Sequence, residues 1–186
     1  MKTVVFDLDG TLADTSADLL AAANACFEQL GHGVVLDGRD VLTAFHGGRA
    51  MLRAGFDRLG VEYCEDDIAR EYPRLLRAYE GGIDTHTRMY PGAVAAVEAL
   101  RAAGMAVSIC TNKPEYLAEE LLRRLGVRDL FGALVGADTL RCASLIQHLI
   151  SRRCGGSVAW WRGQCWWAIP RRIARPGWLP GCRWPW

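Results

Sequence analysis

The chain has 186 residues, 23% of them charged and 51% hydrophobic, with a formal net charge of +1. Those values suit one or two globular domains and exclude collagen, a disordered acidic tail or a basic nucleic-acid arm. No apolar run approaches the ~18 residues of a membrane-spanning helix, and the apolar start is interrupted by Asp7 too early for a signal peptide. A cytoplasmic protein with free thiols is therefore expected, with neither a membrane nor a nucleic acid as partner.

The first apolar run, Thr3-Val4-Val5-Phe6-Asp7-Leu8, ends in acids and Gly10 and predicts a buried parallel strand entering a loop. After Thr15 and Ser16, residues Leu20, Ala23, Phe27 and Leu30 fall at helical spacing, and Gly31 can close that helix. From there to about Thr87 the sequence is polar and helical, with glycine breaks at Gly47-Gly48, Gly60 and Gly81-Gly82. Pro91 opens a helix with Val94, Val97 and Leu100 on one face and Gly104 at its end. Met105–Cys110 predicts a second strand. A helix from Pro114 then buries Leu117, Leu121, Leu122 and Leu125, and Ala133–Gly136 predicts a third strand.

Strands alternating with helices imply an α/β fold with a parallel sheet. The helical stretch after the first strand is too long for a simple connection and predicts an inserted domain. The expected organisation is a core of residues 1–14 and 88–140 with a helical cap of residues 15–87.

Ligands of open α/β sheets bind beyond the carboxyl ends of the strands. Two of these ends are polar: Asp7-Leu8-Asp9-Gly10-Thr11, and Thr111-Asn112. Alternation puts the Asp7 and Asp9 side chains on one side, and two adjacent carboxylates call for a hard cation such as Mg²⁺. Gly10 permits a sharp turn with open amides that can cradle phosphate oxygens, and the Thr111 hydroxyl can take another. The same residues also read as a plain turn with Thr capping a helix.

Phe6-Asp7-Leu8-Asp9-Gly10-Thr11-Leu12 resembles the first motif of the haloacid dehalogenase superfamily of phosphatases, and Ser108–Pro114 resembles its second. Tyr90-Pro91-Gly92 and Gly136-Ala137-Asp138 are similar to stretches of its phosphoglycolate phosphatase-like members. The resemblance implies a Rossmann-like parallel sheet core with an inserted α-helical cap. It also implies a Mg²⁺-dependent phosphomonoester hydrolase for a small phosphorylated metabolite such as 2-phosphoglycolate. Asp7 would be the nucleophile, forming an aspartyl-phosphate, and Asp9 the general acid and base. Asp7 and the backbone carbonyl of Asp9 would hold Mg²⁺, and Gly10, Thr11, Thr111 and Asn112 would bind phosphate. His46-Gly47-Gly48-Arg49 is the candidate specificity loop, Arg49 reaching a substrate carboxylate.

Lys113 lies beside Thr111 and could touch phosphate, but a surface lysine starting a helix is the favoured reading. Cys26, Cys64 and Cys110 are expected as buried small hydrophobes, and Asp14 and Asp18 as capping or charging the first turn of a helix. A receiver-type signalling domain also carries a reactive Asp, but the Asp9-Gly10-Thr11 run and the long helical insert fit it poorly.

At Leu140 the chain changes character. Residues 1–140 hold all 21 acidic residues and 14 of the 22 basic ones, whereas residues 141–186 hold eight Arg, all seven Trp and no Asp, Glu or Lys. The family's third motif, a Lys usually followed by Pro, and its acidic fourth motif should both follow Leu140, and neither is present. The C-terminal part of the core is thus absent as translated, together with the two strands that would flank the first strand, whose edge is expected to be unpaired.

Trp, Arg, Cys, Pro and Gly are what GC-rich DNA yields in a wrong frame. Back-translated with suitable codons and read from the third base of each, Arg141–Arg153 gives Val-Arg-Lys-Pro-Asp-Pro. The same offset applied from Gln164 gives Val-Leu-Val-Gly-Asp-Ser. Some letters are forced: Trp166-Trp167 yields only Val, and Trp167-Ala168 only Gly. A base lost near the Leu140 codon is the reading adopted, ahead of a variable tail, a Trp/Arg membrane-surface segment or zinc ligation by Cys154, Cys165 and Cys182. For the chain as it stands, a catalytically dead fragment and a phosphate- or Mg²⁺-binding module are the competing functions.

Overall fold

The computed structural model describes residues 2–139 and the backbone of 158–161. The rest of the anomalous segment, including the Lys-Pro and acidic stretches recovered by the shifted frame, lies outside the described residues. Three apolar runs form parallel strands: β1 (Thr3–Phe6), β4 (Ala106–Cys110) and β5 (Ala133–Val135). β4 lies beside β1 with Thr3 opposite Ala106 and Phe6 opposite Ile109, and β5 lies on the far side of β4. α5 (Ala93–Ala102) packs on β4, and α6 (Glu115–Arg124) on β5. α6 turns Leu117, Ala118, Leu121 and Leu122 inward, as its sequence spacing predicts.

The edge of β1 differs from expectation. The backbone of β6 (Val158–Trp161) runs parallel to β1 with Thr3 opposite Val158 and Phe6 opposite Trp161, giving the order β5-β4-β1-β6. The edge is therefore paired. A strand edge offers main-chain donors and acceptors that any β-prone segment can meet, and Val-Ala-Trp-Trp is such a segment.

Between β1 and α5 the chain leaves the core for four helices: α1 (Ser16–Gln29), α2 (Val41–Phe45), α3 (Gly48–Leu59) and α4 (Glu65–Gly81). The exit and the return are tied by a short antiparallel pair, β2 (Ala13–Asp14) and β3 (Arg88–Met89), which sequence periodicity is too short to reveal. Asp14 accepts hydrogen bonds from the Ser16 amide and hydroxyl at 3.1 and 2.6 Å, closing the start of α1 as expected.

Asp18 does something else. Buried to 4% exposure, its carboxylate accepts from the His86 amide, the Thr87 amide and the Thr87 hydroxyl at 3.0, 2.8 and 2.8 Å. It therefore holds the returning chain against the departing one rather than serving only its own helix.

The insert has an aromatic centre of Phe27, Phe56 and Tyr63, the first pair edge-on at 5.4 Å and the second stacked at 5.3 Å. Gly55 is needed there, because a Cβ at that position would lie 2.1 Å from the Phe27 ring. No helix among the described residues is long and apolar enough to cross a membrane.

Candidate active site

β1 delivers Asp7 and Asp9 to the carboxyl end of the sheet. Since Phe6 pairs with Ile109, Asp7 comes level with Cys110, and Thr111 follows at the adjoining strand end. Asp7 Oδ1 accepts the Leu8 amide at 2.7 Å. The Thr111 amide is fixed by the Val135 carbonyl at 2.9 Å. The two polar strand ends read from the sequence are therefore neighbours.

Gly10 makes the sharp turn, at φ +72. A Cβ there would lie 2.8 Å from the Phe45 ring of α2, so this turn also carries a close contact from the insert. The expectation of open amides is corrected. Gly10 N–H donates to Ala13 O at 2.9 Å, and Thr11 N–H to Leu8 O at 3.3 Å, because the tight turn returns its donors to its own carbonyls.

The Asp9 side chain is 13% exposed and has two partners among the described residues. One carboxylate oxygen, Oδ1, accepts the Thr15 hydroxyl at 2.7 Å and faces the Lys113 ammonium at 3.1 Å. Lys113 is not at the surface: its side chain is 4% exposed, and its Nζ also donates to the Tyr79 hydroxyl at 3.0 Å. Burial disfavours the ammonium, yet Asp9, Tyr79 and their hydrogen bonds outweigh it and raise the Lys113 pKa. Tyr79 is pushed up to about 12, chiefly by burial.

A cavity opens beside this group, lined by Asp9, Asn112 and Lys113 from the core and by Gly48, Tyr72 and Tyr79 from the insert. Gly47 also lines it, at φ +96. A Cβ at Gly48 would meet Tyr72 at 2.9 Å, so that glycine lets α3 start tightly against α4. His46 and Arg49 are not on the cavity wall: His46 Nδ1 lies 2.7 Å from Leu42 O, and Arg49 stacks 4.6 Å from the centre of the Tyr72 ring.

For a divalent cation, the Asp7 carboxylate and the Asp9 backbone carbonyl supply the hard oxygen donors that Mg²⁺ takes. Among the described residues, however, no three His, Cys, Asp or Glu side chains converge. The donors fit in kind and fall short in number, as a segment without acids after Leu140 requires.

Cysteine placement follows expectation only in part. Cys26 is buried and Cys110 half-buried, and both thiols are pushed up to about 11, by burial first and then by Glu71 and Asp7 respectively. Cys64 is exposed instead: it caps α4, its amide and thiol donating to Asp67 at 2.9 and 3.1 Å. Iodoacetamide at pH 8 should modify Cys64 at least about tenfold faster than Cys26 or Cys110, since the thiolate is the reactive form. Peptide mass spectrometry checks this, with equal rates expected in denaturant.

Tyr79 and Thr15 are site residues that sequence reasoning missed, and Lys113, for which a surface position was favoured over a phosphate contact, is a third member of the site. Lys113 had one signal, being one of only two lysines in the chain, beside a polar strand end. Tyr79 had none, since its spacing from Ile68 and Leu75 is that of any core position on a helix.

A parallel sheet with paired acids at the end of one strand, a threonine at the next and a helical insert between them is the arrangement that the sequence resemblance implies. The model of haloacid dehalogenase-like hydrolases matches residues 1–150, and the chain belongs to that family. The chain is 38% identical over 137 residues to the phosphoglycolate phosphatase of Agrobacterium fabrum, covering 73% of this chain and 58% of the relative. It is 39% identical over 142 residues to that of Chromobacterium violaceum, covering 75% and 64%. The chain thus spans about three-fifths of the length of the curated relatives it matches.

Among solved structures it is similar to a predicted phosphoglycolate phosphatase from Haemophilus somnus, with TM-score 0.67 and 23% identity over 82% of this chain and 72% of the other. It is also similar to a HAD hydrolase of family IA, variant 3, from Entamoeba histolytica, with TM-score 0.65 and 16% identity over 83% and 71%. At those identities the likeness is one of fold.

Proposed function

We propose that the intact reading frame encodes a Mg²⁺-dependent phosphomonoester hydrolase for a small phosphorylated metabolite such as 2-phosphoglycolate. The observation carrying this reading is the end of β1, where Asp7 lies level with the neighbouring strand end and Asp9 lines the cavity under the insert. Asp7 attacks phosphorus and displaces the alcohol, forming an aspartyl-phosphate. Asp9 gives the departing oxygen its proton and then takes one from the water that hydrolyses the intermediate. Thr111 and Asn112 hold phosphoryl oxygens. Asp7 and the Asp9 carbonyl would hold Mg²⁺, which would supply charge neutralisation between carboxylate and phosphate. The free thiols of Cys26, Cys64 and Cys110 support a cytoplasmic setting.

The same reading makes the chain as it stands a weak or dead catalyst, because the Lys and acidic motifs are missing after Leu140. The loss of every acid and lysine after Leu140 supports a change of frame near that point. Phosphate release from p-nitrophenyl phosphate and 2-phosphoglycolate should be at background for this chain. It should appear in a chain whose frame is restored at Leu140, and should vanish on chelation of Mg²⁺. A restored chain without turnover would refute the assignment, and a DNA sequence encoding the tail in one intact frame would refute the lost base.

A further inference from the structure

The Lys113 ammonium lies where insert and core meet. Tyr79 reaches it from α4 of the insert, and Asp9 reaches it from the turn after β1, while Lys113 itself follows β4. Its Nζ is 3.0 Å from the Tyr79 hydroxyl, 4.2 Å from the centre of that ring and 3.1 Å from Asp9 Oδ1. Tyr79 is 1% exposed. The backbone around Lys113 is fixed independently: its amide donates to Thr111 Oγ1 at 3.2 Å, and its carbonyl accepts from Ala137 N–H at 3.0 Å. The side chain is thus the one part of this loop committed to the insert.

An ammonium buried with one partner removed is disfavoured, so Asp9 and Tyr79 together keep Lys113 protected. Asp9 Oδ1 is at the same time tied to Thr15, at the start of the insert. The carboxylate is consequently held by Thr15 directly and, through Lys113, by Tyr79 of α4.

We propose that Tyr79 and Lys113 are positioning residues that latch the inserted helices onto the core and hold Asp9 at the mouth of the cavity. The latch rests on the proposed function only for the role of Asp9. With the insert seated on the core, the ammonium, the cavity wall and the carboxylate are set together.

Lys2 and Lys113 are the only lysines, so amine acetylation of the full chain reports the latch directly. With acetic anhydride, Lys113 should react at least about tenfold more slowly than Lys2, as a group protected by hydrogen bonds to a charge. Tyr79→Phe keeps the ring and removes the hydroxyl. It should raise Lys113 acetylation about tenfold, with hydrogen exchange of the α4 amides unchanged. Asp9→Asn should also expose Lys113. Lys113 as reactive as Lys2 in the parent, or still protected in either variant, would overturn the latch. So would faster α4 exchange in Tyr79→Phe, which marks Tyr79 as a packing residue only.

In the frame-restored chain, Tyr79→Phe should lower kcat while leaving KM within about twofold, because the hydroxyl meets Lys113 and not the phosphate. Acetylation needs no turnover, so a failed phosphatase assignment and a failed latch give different results.

Discussion

Asp7→Asn in the frame-restored chain is expected to reduce phosphate release by at least about 10³-fold. The substitution is isosteric, and the amide oxygen still accepts the Leu8 N–H that Oδ1 accepts at 2.7 Å. The loop at the end of β1 therefore keeps its shape while losing its nucleophile. Thermal unfolding of the variant should stay within about 1 kcal/mol of the parent, since the Leu8 amide keeps its acceptor. Steady-state phosphate release measures the first effect. Acid quenching with a radiolabelled phosphoester should trap phosphoprotein in the parent and none in the variant. Retained turnover would move the chemistry away from Asp7 altogether.

Asp18→Ala is expected to destabilise the fold by about 3–5 kcal/mol. The carboxylate is buried and receives two amides and a hydroxyl from His86 and Thr87, and truncation leaves all three without an acceptor. Asp18→Asn should cost less, since the amide keeps one accepting oxygen of the two. Urea midpoints of the three chains measure the order. A loss below about 1 kcal/mol in Asp18→Ala would mean that water replaces the carboxylate, and that the junction is looser than its hydrogen bonds indicate.

These two residues also mark what the sequence made legible. Asp7 could be read because two acids closing a buried apolar strand repel each other unless a ligand meets them there. A second polar strand end, following at the right distance, strengthened that reading. β4, α5, α6 and β5 were legible from pattern as well, their periodicity surviving in every turn of the chain. Asp18 was not. Its type and place suit a helix start, and its partners lie 68 and 69 positions away.

Lys113 failed in another way. A lysine in a loop after a strand is usually solvated, and only the arrival of Tyr79 and Asp9 from distant parts of the chain offsets the cost of its burial. Cys64 shows the converse, a residue type that is usually buried placed at a helix start where its thiol meets Asp67. β6 eluded composition for a simpler reason. Ladder hydrogen bonds are made by the main chain, so a segment of unusual composition can still occupy a strand position.

The two-residue ladder of β2 and β3 has a consequence for how such a protein can change. It brings Ala13 beside Met89 and Asp14 beside Arg88, so the excursion through four helices begins and ends at one point. For the parallel sheet, that detour is equivalent to a hairpin. Closing a loop of twice the length costs only about 0.6 kcal/mol more. Helices can therefore be lengthened, traded or added inside the excursion with little disturbance to the sheet. The polar strand ends and the helices above them can diversify on separate schedules.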